Sequence, residues 1–172
     1  MMKQMTIALT MLSLLSNNNV KAITKFGEQC PWTYEYSVEQ SFDKSRYTGR
    51  WYEIQRDYDT SFEWMSDCVT ATYKAKSDGT LGIINRGWYW YFFLSYYQIE
   101  GKAKCDENEG YCTVGFNPLN PDDVDVDGKE PNYNILMTDY DTYSVVYSCS
   151  SSWNTWAMTE TMWILSRTTT LP

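Results

Sequence analysis

The chain has 172 residues, with 14 Lys and Arg set against 22 Asp and Glu and a formal net charge of −8. A surface of that sign repels phosphate, which argues against nucleic-acid partners; solubility is its plainest meaning. Histidine is absent, so imidazole is unavailable as base, proton shuttle or metal ligand, which excludes Ser-His-Asp and Cys-His catalysis and an ordinary catalytic zinc.

At the N-terminus Lys3 precedes an apolar run from Ile7 to Leu15, polar Ser16 to Asn19 and the small-residue ending Val20-Lys21-Ala22. The run is too short to cross a bilayer and has the shape of a secretory signal. Residues 1–22 are therefore read as a signal peptide and residues 23–172 as one domain, since about 150 residues support a single core. Loss of Lys3 and Lys21 with the leader leaves 12 basic against 22 acidic side chains, a net charge of −10.

Strand-like segments rich in Val, Ile, Thr, Tyr and Trp follow at short spacing. They are expected at about 50–58, 67–76, 81–90, 95–105, 111–117, 133–139, 143–150 and 157–167. Ser77-Asp78-Gly79 and Asp139-Tyr140-Asp141 are turn sequences short enough to make their flanking strands neighbours. Eight strands is the number that closes an antiparallel barrel around one small ligand. In such a closed sheet the first and last strands pair, which brings Trp51 and Arg167 together as a guanidinium over an indole, worth roughly 0.5 to 2 kcal/mol. Trp163 and Leu165 share the strand parity of Arg167 and point inward if it does.

Between the third and fourth strands runs Trp88-Tyr89-Trp90-Tyr91-Phe92-Phe93-Leu94-Ser95-Tyr96-Tyr97. Loops are normally polar, yet the tip here is Tyr91, Phe92 and Phe93. Phe62, Trp64 and Met65 after the first strand and Trp153 and Trp156 before the eighth share the trait. Exposed aromatic clusters mark contact sites, and Trp and Tyr favour membrane interfaces. Two readings stand side by side: a mouth that contacts membrane, lipoprotein or another partner through Trp64, Tyr91, Phe92, Phe93 and Trp153, or rings folded inward as a lid.

The five cysteines of a secreted domain imply disulfides with one thiol left over. Cys105 and Cys112 flank the polar stretch Asp106 to Tyr111 and are placed to pair across a hairpin. The run Asp123, Asp125, Asp127, Gly128 matches the opening of a calcium loop, but Asn134 stands where the closing acid belongs and Pro131 interrupts it. A solvated acidic loop is the better reading, and no metal or cofactor is expected.

Three ordered segments carry a resemblance. Gly49-Arg50-Trp51-Tyr52-Glu53-Ile54 follows Phe42-Asp43; Thr138-Asp139-Tyr140-Asp141-Thr142-Tyr143 runs into Val145-Val146-Tyr147-Ser148-Cys149; and Trp163-Ile164-Leu165-Ser166-Arg167 comes last. In order and spacing they resemble the three signatures of the lipocalins from about Cys30 to Pro172. The likeness is greatest to apolipoprotein D-like members, with features similar to retinol-binding protein. It implies an all-β, eight-stranded up-and-down barrel, the lipocalin calyx, in which Trp51 and Arg167 plug the closed end. It also implies a Cys30–Cys149 disulfide and a Cys68 whose usual partner lies in a C-terminal tail beyond this sequence. Tyr73, Asn85 and Trp163 match residues that contribute to the ligand cavity in such proteins; the competing reading is that they merely fill the core. The family's C-terminal helix would begin where the sequence stops at Leu171-Pro172, and both a natural short form and a truncated sequence fit that ending.

The function so implied is a secreted, extracellular carrier of a small hydrophobic molecule such as a fatty acid, sterol or retinoid, with no catalytic residue needed. Two rivals belong to other classes. Prostaglandin D synthase, an enzyme of the same family, resembles this chain around the second strand, where its thiol stands near the position of Cys68; a low-pKa Cys68 facing the cavity would be a nucleophile. An interaction module using the aromatic mouth would have a barrel filled with side chains.

Overall fold

A computed structural model describes residues 24–30, 37–57, 65–90, 95–152 and 157–171. In chain order its elements are β1 (Thr24–Phe26), β2 (Gln40–Phe42), the short helix α1 (Lys44–Tyr47), β3 (Gly49–Arg56), β4 (Ser66–Ala75), β5 (Leu81–Tyr89) and β6 (Ser95–Cys105). There follow β7 (Asn108–Glu109), β8 (Tyr111–Phe116), β9 (Tyr133–Thr138), β10 (Tyr143–Ser152) and β11 (Ala157–Ser166). Eight of the strands lie where the alternation of apolar and polar residues places them.

These eight form one antiparallel meander, β3-β4-β5-β6-β8-β9-β10-β11, and β11 pairs back onto β3, so the sheet closes. Closure leaves no free edge along the paired stretch and gives every strand an inner and an outer face. Inward residues build the core: Trp51, Tyr73, Leu81, Ile83, Ala103, Val146, Trp163 and Leu165 are all buried.

Three features are not legible in strand periodicity. β1 pairs with the upstream end of β11, Thr24 opposite Thr159 and Phe26 opposite Ala157. The stretch between Cys105 and Cys112, expected as a plain turn, contains β7, whose two residues pair with β2. Between these lies α1, capped by Asp43, whose Oδ1 accepts the backbone N–H of Ser45 at 2.8 Å and of Arg46 at 3.4 Å. That cap fixes where the helix starts and delivers Tyr47, fully buried, against Trp51, whose indole N–H donates to the Tyr47 carbonyl at 3.0 Å.

Disulfides join Cys30 to Cys149, 119 residues apart, and Cys105 to Cys112, which face each other across the β6–β8 pair. The first ties the N-terminal segment to β10. β8 and β9 pair only at Tyr111–Asn134 and Cys112–Tyr133. Beyond that point the Asn132 side chain takes over: its Oδ1 accepts the Val114 N–H at 2.8 Å and its Nδ2 donates to the Val114 carbonyl at 3.0 Å.

Candidate ligand calyx

The barrel encloses a cavity of about 440 Å³, within the range usual for small-molecule sites. Its wall is mostly apolar and aromatic: Val69, Ala71, Tyr73, Ile83, Tyr89, Tyr97, Ile99, Val114, Phe116, Tyr133, Trp163 and Leu165. The polar groups on it are few, namely Glu53, Asn85, Asn132, Ser148 and Ser150. Tyr73, Asn85 and Trp163 thus lie on one cavity, brought from β4, β5 and β11. Trp163 and Leu165 share a face because they stand two residues apart in β11.

One end of this barrel is closed by aromatic packing. Trp51 is fully buried, and the Arg167 guanidinium lies over its ring, 3.7 Å from the centroid. The fork of Arg167 is used on three carbonyls: Nε donates to Tyr140 at 2.9 Å, Nη1 to Arg50 at 3.0 Å and Nη2 to Arg46 at 3.0 Å. Arg167 therefore staples β3, α1 and the β9–β10 turn from below, and it is not on the cavity wall. Gly49 makes room for it: φ there is +98°, and a Cβ would stand 3.2 Å from Arg167 Nη1, so a side chain is resisted both by conformation and by contact.

Above the plug lies a tyrosine cluster. Tyr73 and Tyr133 share a hydroxyl hydrogen bond of 2.7 Å, and Tyr47 shares one of 2.9 Å with Ser144. Burial pushes the Tyr47 phenol up to about 12, although the Ser144 hydroxyl pulls it the other way. Tyr133 is raised well above the ordinary phenol value, again first by burial and then by Tyr73 and Tyr47 beside it. The Tyr47 and Tyr133 hydroxyls therefore stay protonated at physiological pH and act as neutral hydrogen-bonding groups in an aromatic floor.

Glu53 and Arg56 were not singled out from the sequence. Glu53 shares the inward parity of Trp51, two residues before it, and that signal was available. Arg56 was not accessible the same way, because its face is set by an irregularity in the β3–β11 pairing between Ile164 and Leu165. Its Nη1 donates to Glu53 Oε1 and its Nη2 to the Ser66 carbonyl at 2.6 Å.

Of the expected mouth residues, Trp64, Tyr91, Phe92, Phe93 and Trp153 lie outside the described residues, as do Phe62, Trp156 and residues 1–22. Trp88, Trp90 and Tyr96, on either side of residues 91–94 in the sequence, are exposed, Trp90 to 64%. Cys68 has a free, exposed thiol. It sits at φ +52° in a bulge of β4 and is not on the cavity wall, which takes its neighbour Val69 instead. In the acidic loop Val124 and Val126 are buried, and Lys129 and Lys104 pair with Asp125 and Asp127. The alternation there is a packing pattern, apolar in and acid out.

A closed antiparallel barrel, plugged at one end and hollow and apolar above the plug, defines a calyx-type barrel. The chain belongs to the lipocalin family, whose lipocalin-like domain model matches residues 42–172. Apolipoprotein D of Mus musculus is 33% identical over 142 residues, covering 78% of this chain and 66% of that protein. Apolipoprotein D of Cavia porcellus is 32% identical over 174 residues, covering 99% and 82%. The match thus spans just under two thirds of the mouse relative. The Lazarillo protein of Schistocerca americana is 33% identical over 136 residues, covering 73% of this chain and 56% of that one. Among solved structures, insecticyanin of the tobacco hornworm Manduca sexta superposes with a TM-score of 0.64 at 21% identity, covering 88% of this chain and 75% of that one. Lobster apocrustacyanin A1 follows at 0.55 and 19%, covering 76% and 65%; both show the shared fold.

Proposed function

We propose that this protein is a secreted carrier that holds a small hydrophobic molecule, of the fatty acid, sterol or retinoid kind, in the calyx without covalent chemistry. The observation that carries this reading is the apolar cavity of about 440 Å³ with its few polar groups. Each Å² of apolar ligand surface taken from water there contributes about 25 cal/mol. Tyr73, Asn85 and Trp163 serve as ligand contacts, the indole and phenol supplying area and the amide an orienting hydrogen bond. Membership of the lipocalin family supports a binding role over catalysis, as does an exposed Cys68 away from the cavity. Two disulfides suit an oxidising, extracellular location. We place cargo exchange at the open end, where Trp88, Trp90 and Tyr96 offer exposed aromatic surface to a membrane or lipoprotein.

Displacement of an environment-sensitive fluorescent fatty probe tests the reading. Saturable uptake of one probe per chain, reversed by unlabelled lipid, is expected; a probe that never enters, or that leaves only on denaturation, refutes it.

A further inference from the structure

The inner face of β5 climbs from the floor of the calyx to its mouth through Ile83, Asn85, Gly87 and Tyr89. Gly87 stands opposite Tyr97 of β6, and it is buried although it has no side chain of its own. What covers it is the Tyr97 ring. A Cβ at position 87 would lie 2.6 Å from Tyr97 Cε1, 2.7 Å from its hydroxyl oxygen and 2.8 Å from Cζ, well inside the roughly 3.5 to 4.0 Å at which carbon atoms pack. The outer end of Tyr97 therefore lies across β5, along the barrel wall, in space that any other residue at 87 would fill. Glycine inside a strand often marks a close approach by another group, and here that group is an aromatic ring.

Tyr97 and Tyr89 both line the cavity, their ring centroids 4.5 Å apart. Phe116 is held in the same way one strand further on, where a Cβ on Gly101 would lie 2.6 Å from its Cδ1. The two glycines differ in what surrounds them. A Cβ on Gly101 would also stand 2.3 Å from the Gly115 carbonyl oxygen, so a side chain there breaks the β6–β8 pairing. At Gly87 the nearest atoms all belong to the far end of one side chain, so a methyl group moves the ring and spares the sheet. Tyr89 blocks the ring towards the mouth and Ile99 follows it towards the floor, which leaves the lumen as the way out.

We infer that Gly87 is a specificity-determining residue of the calyx: it parks Tyr97 against the wall, keeps the upper cavity broad, and so favours rigid, ring-bearing lipids over straight chains. A rigid ring system fills breadth that a chain leaves partly empty, and it loses less freedom on binding. This deepens the carrier reading and rests on it.

Isothermal titration of the mature protein with retinol, cholesterol and hexadecan-1-ol, alcohols that differ in breadth, tests the inference. The two ring-bearing alcohols are expected to bind about tenfold or more tighter than hexadecan-1-ol. Gly87→Ala should weaken both of them about tenfold or more, the effect of a methyl group's worth of space in an apolar pocket, and leave hexadecan-1-ol within about twofold. In a Tyr97→Ala background the same Gly87→Ala change should leave the ring-to-chain ratio untouched, because the ring it displaces is gone. If Gly87→Ala alone fails to fold, a folded double variant with an unchanged ratio supports the inference, and a double variant that also fails to fold overturns it. Gly87→Ala weakening all three alcohols alike, or none of them, overturns it too. Wild-type protein that binds hexadecan-1-ol as tightly as the ring-bearing alcohols overturns the selectivity and leaves the carrier reading intact. Absence of binding by all three overturns the carrier reading itself.

Discussion

Replacing Arg167 by alanine removes the cation over Trp51 and three hydrogen-bond donors in one step. The ring beneath the guanidinium is fully buried and 3.7 Å away, so the stacking contact falls in the upper part of the roughly 0.5 to 2 kcal/mol range. The half-buried Tyr140 carbonyl loses its donor, which costs about 1 to 3 kcal/mol where water cannot fully replace it. The hydrogen bonds to Arg50 and Arg46 are exposed, and water substitutes for them at little cost. Together these give a destabilisation of about 2 to 4 kcal/mol, which for a domain of this size lowers Tm by roughly 5 to 15 °C. Because Arg167 is not on the cavity wall, ligand affinity measured well below the transition should be unchanged. Calorimetric melts paired with probe titration check both halves. Arg167→Ala melting within a degree of wild type, or an altered ligand preference at wild-type stability, would refute the plug.

Tryptophan fluorescence should respond to an apolar ligand; Trp163→Phe removes much of that response and Trp90→Phe does not, since Trp163 lines the cavity and Trp90 is exposed. Burial raises the Asp57 carboxyl, against the Met162 N–H that it accepts at 2.8 Å, so its ionisation opposes folding. The stability contributed by its neutral form is complete below about pH 3.9 and is lost as pH rises through the folded value. Asp57→Asn keeps an acceptor for Met162 and should raise Tm at pH 7, with the gain vanishing near pH 3.5. Asp139 runs in the opposite sense: burial alone would raise it, yet the Thr142 hydroxyl and the N–H groups of Tyr143, Thr142 and Asp141 hold it low. Its contribution is present above about pH 3.9 and lost as pH falls through the folded value, so Asp139→Asn should cost stability at pH 7 and little at pH 2. Cys149→Ala opens a loop of 119 residues worth about 4 to 5 kcal/mol in the chain-entropy model, and a melt should show it as the largest loss of any single cysteine replacement.

The barrel strands were legible because each carries a two-residue alternation between turn sequences that force reversal, as at Ser77-Asp78-Gly79. The likeness of Gly49-Arg50-Trp51 and Trp163 to Arg167 to lipocalin signatures supplied the closure that alternation alone does not give. What escaped were elements whose cause lies elsewhere in the chain. β7 is two residues long and exists because β2 pairs with it, and β1 is a strand because β11 extends beyond the end of β3. Arg56 faces Glu53 through a slip in register, which depends on two strands at once. The aromatic run at 88–97 was conspicuous, but composition does not say which rings face water; Tyr97 turned inward to the cavity while its neighbour Tyr96 stayed exposed.

Native mass spectrometry of the protein secreted from a eukaryotic host, followed by organic extraction of the same sample, tests the carrier reading most directly. The expected spectrum shows the folded chain with one small apolar molecule bound, released on denaturation and recovered in the organic phase. A chain that carries nothing as secreted, and gains no mass after incubation with fatty alcohols, fatty acids, sterols and retinoids, would contradict the claim that the calyx exists to hold cargo.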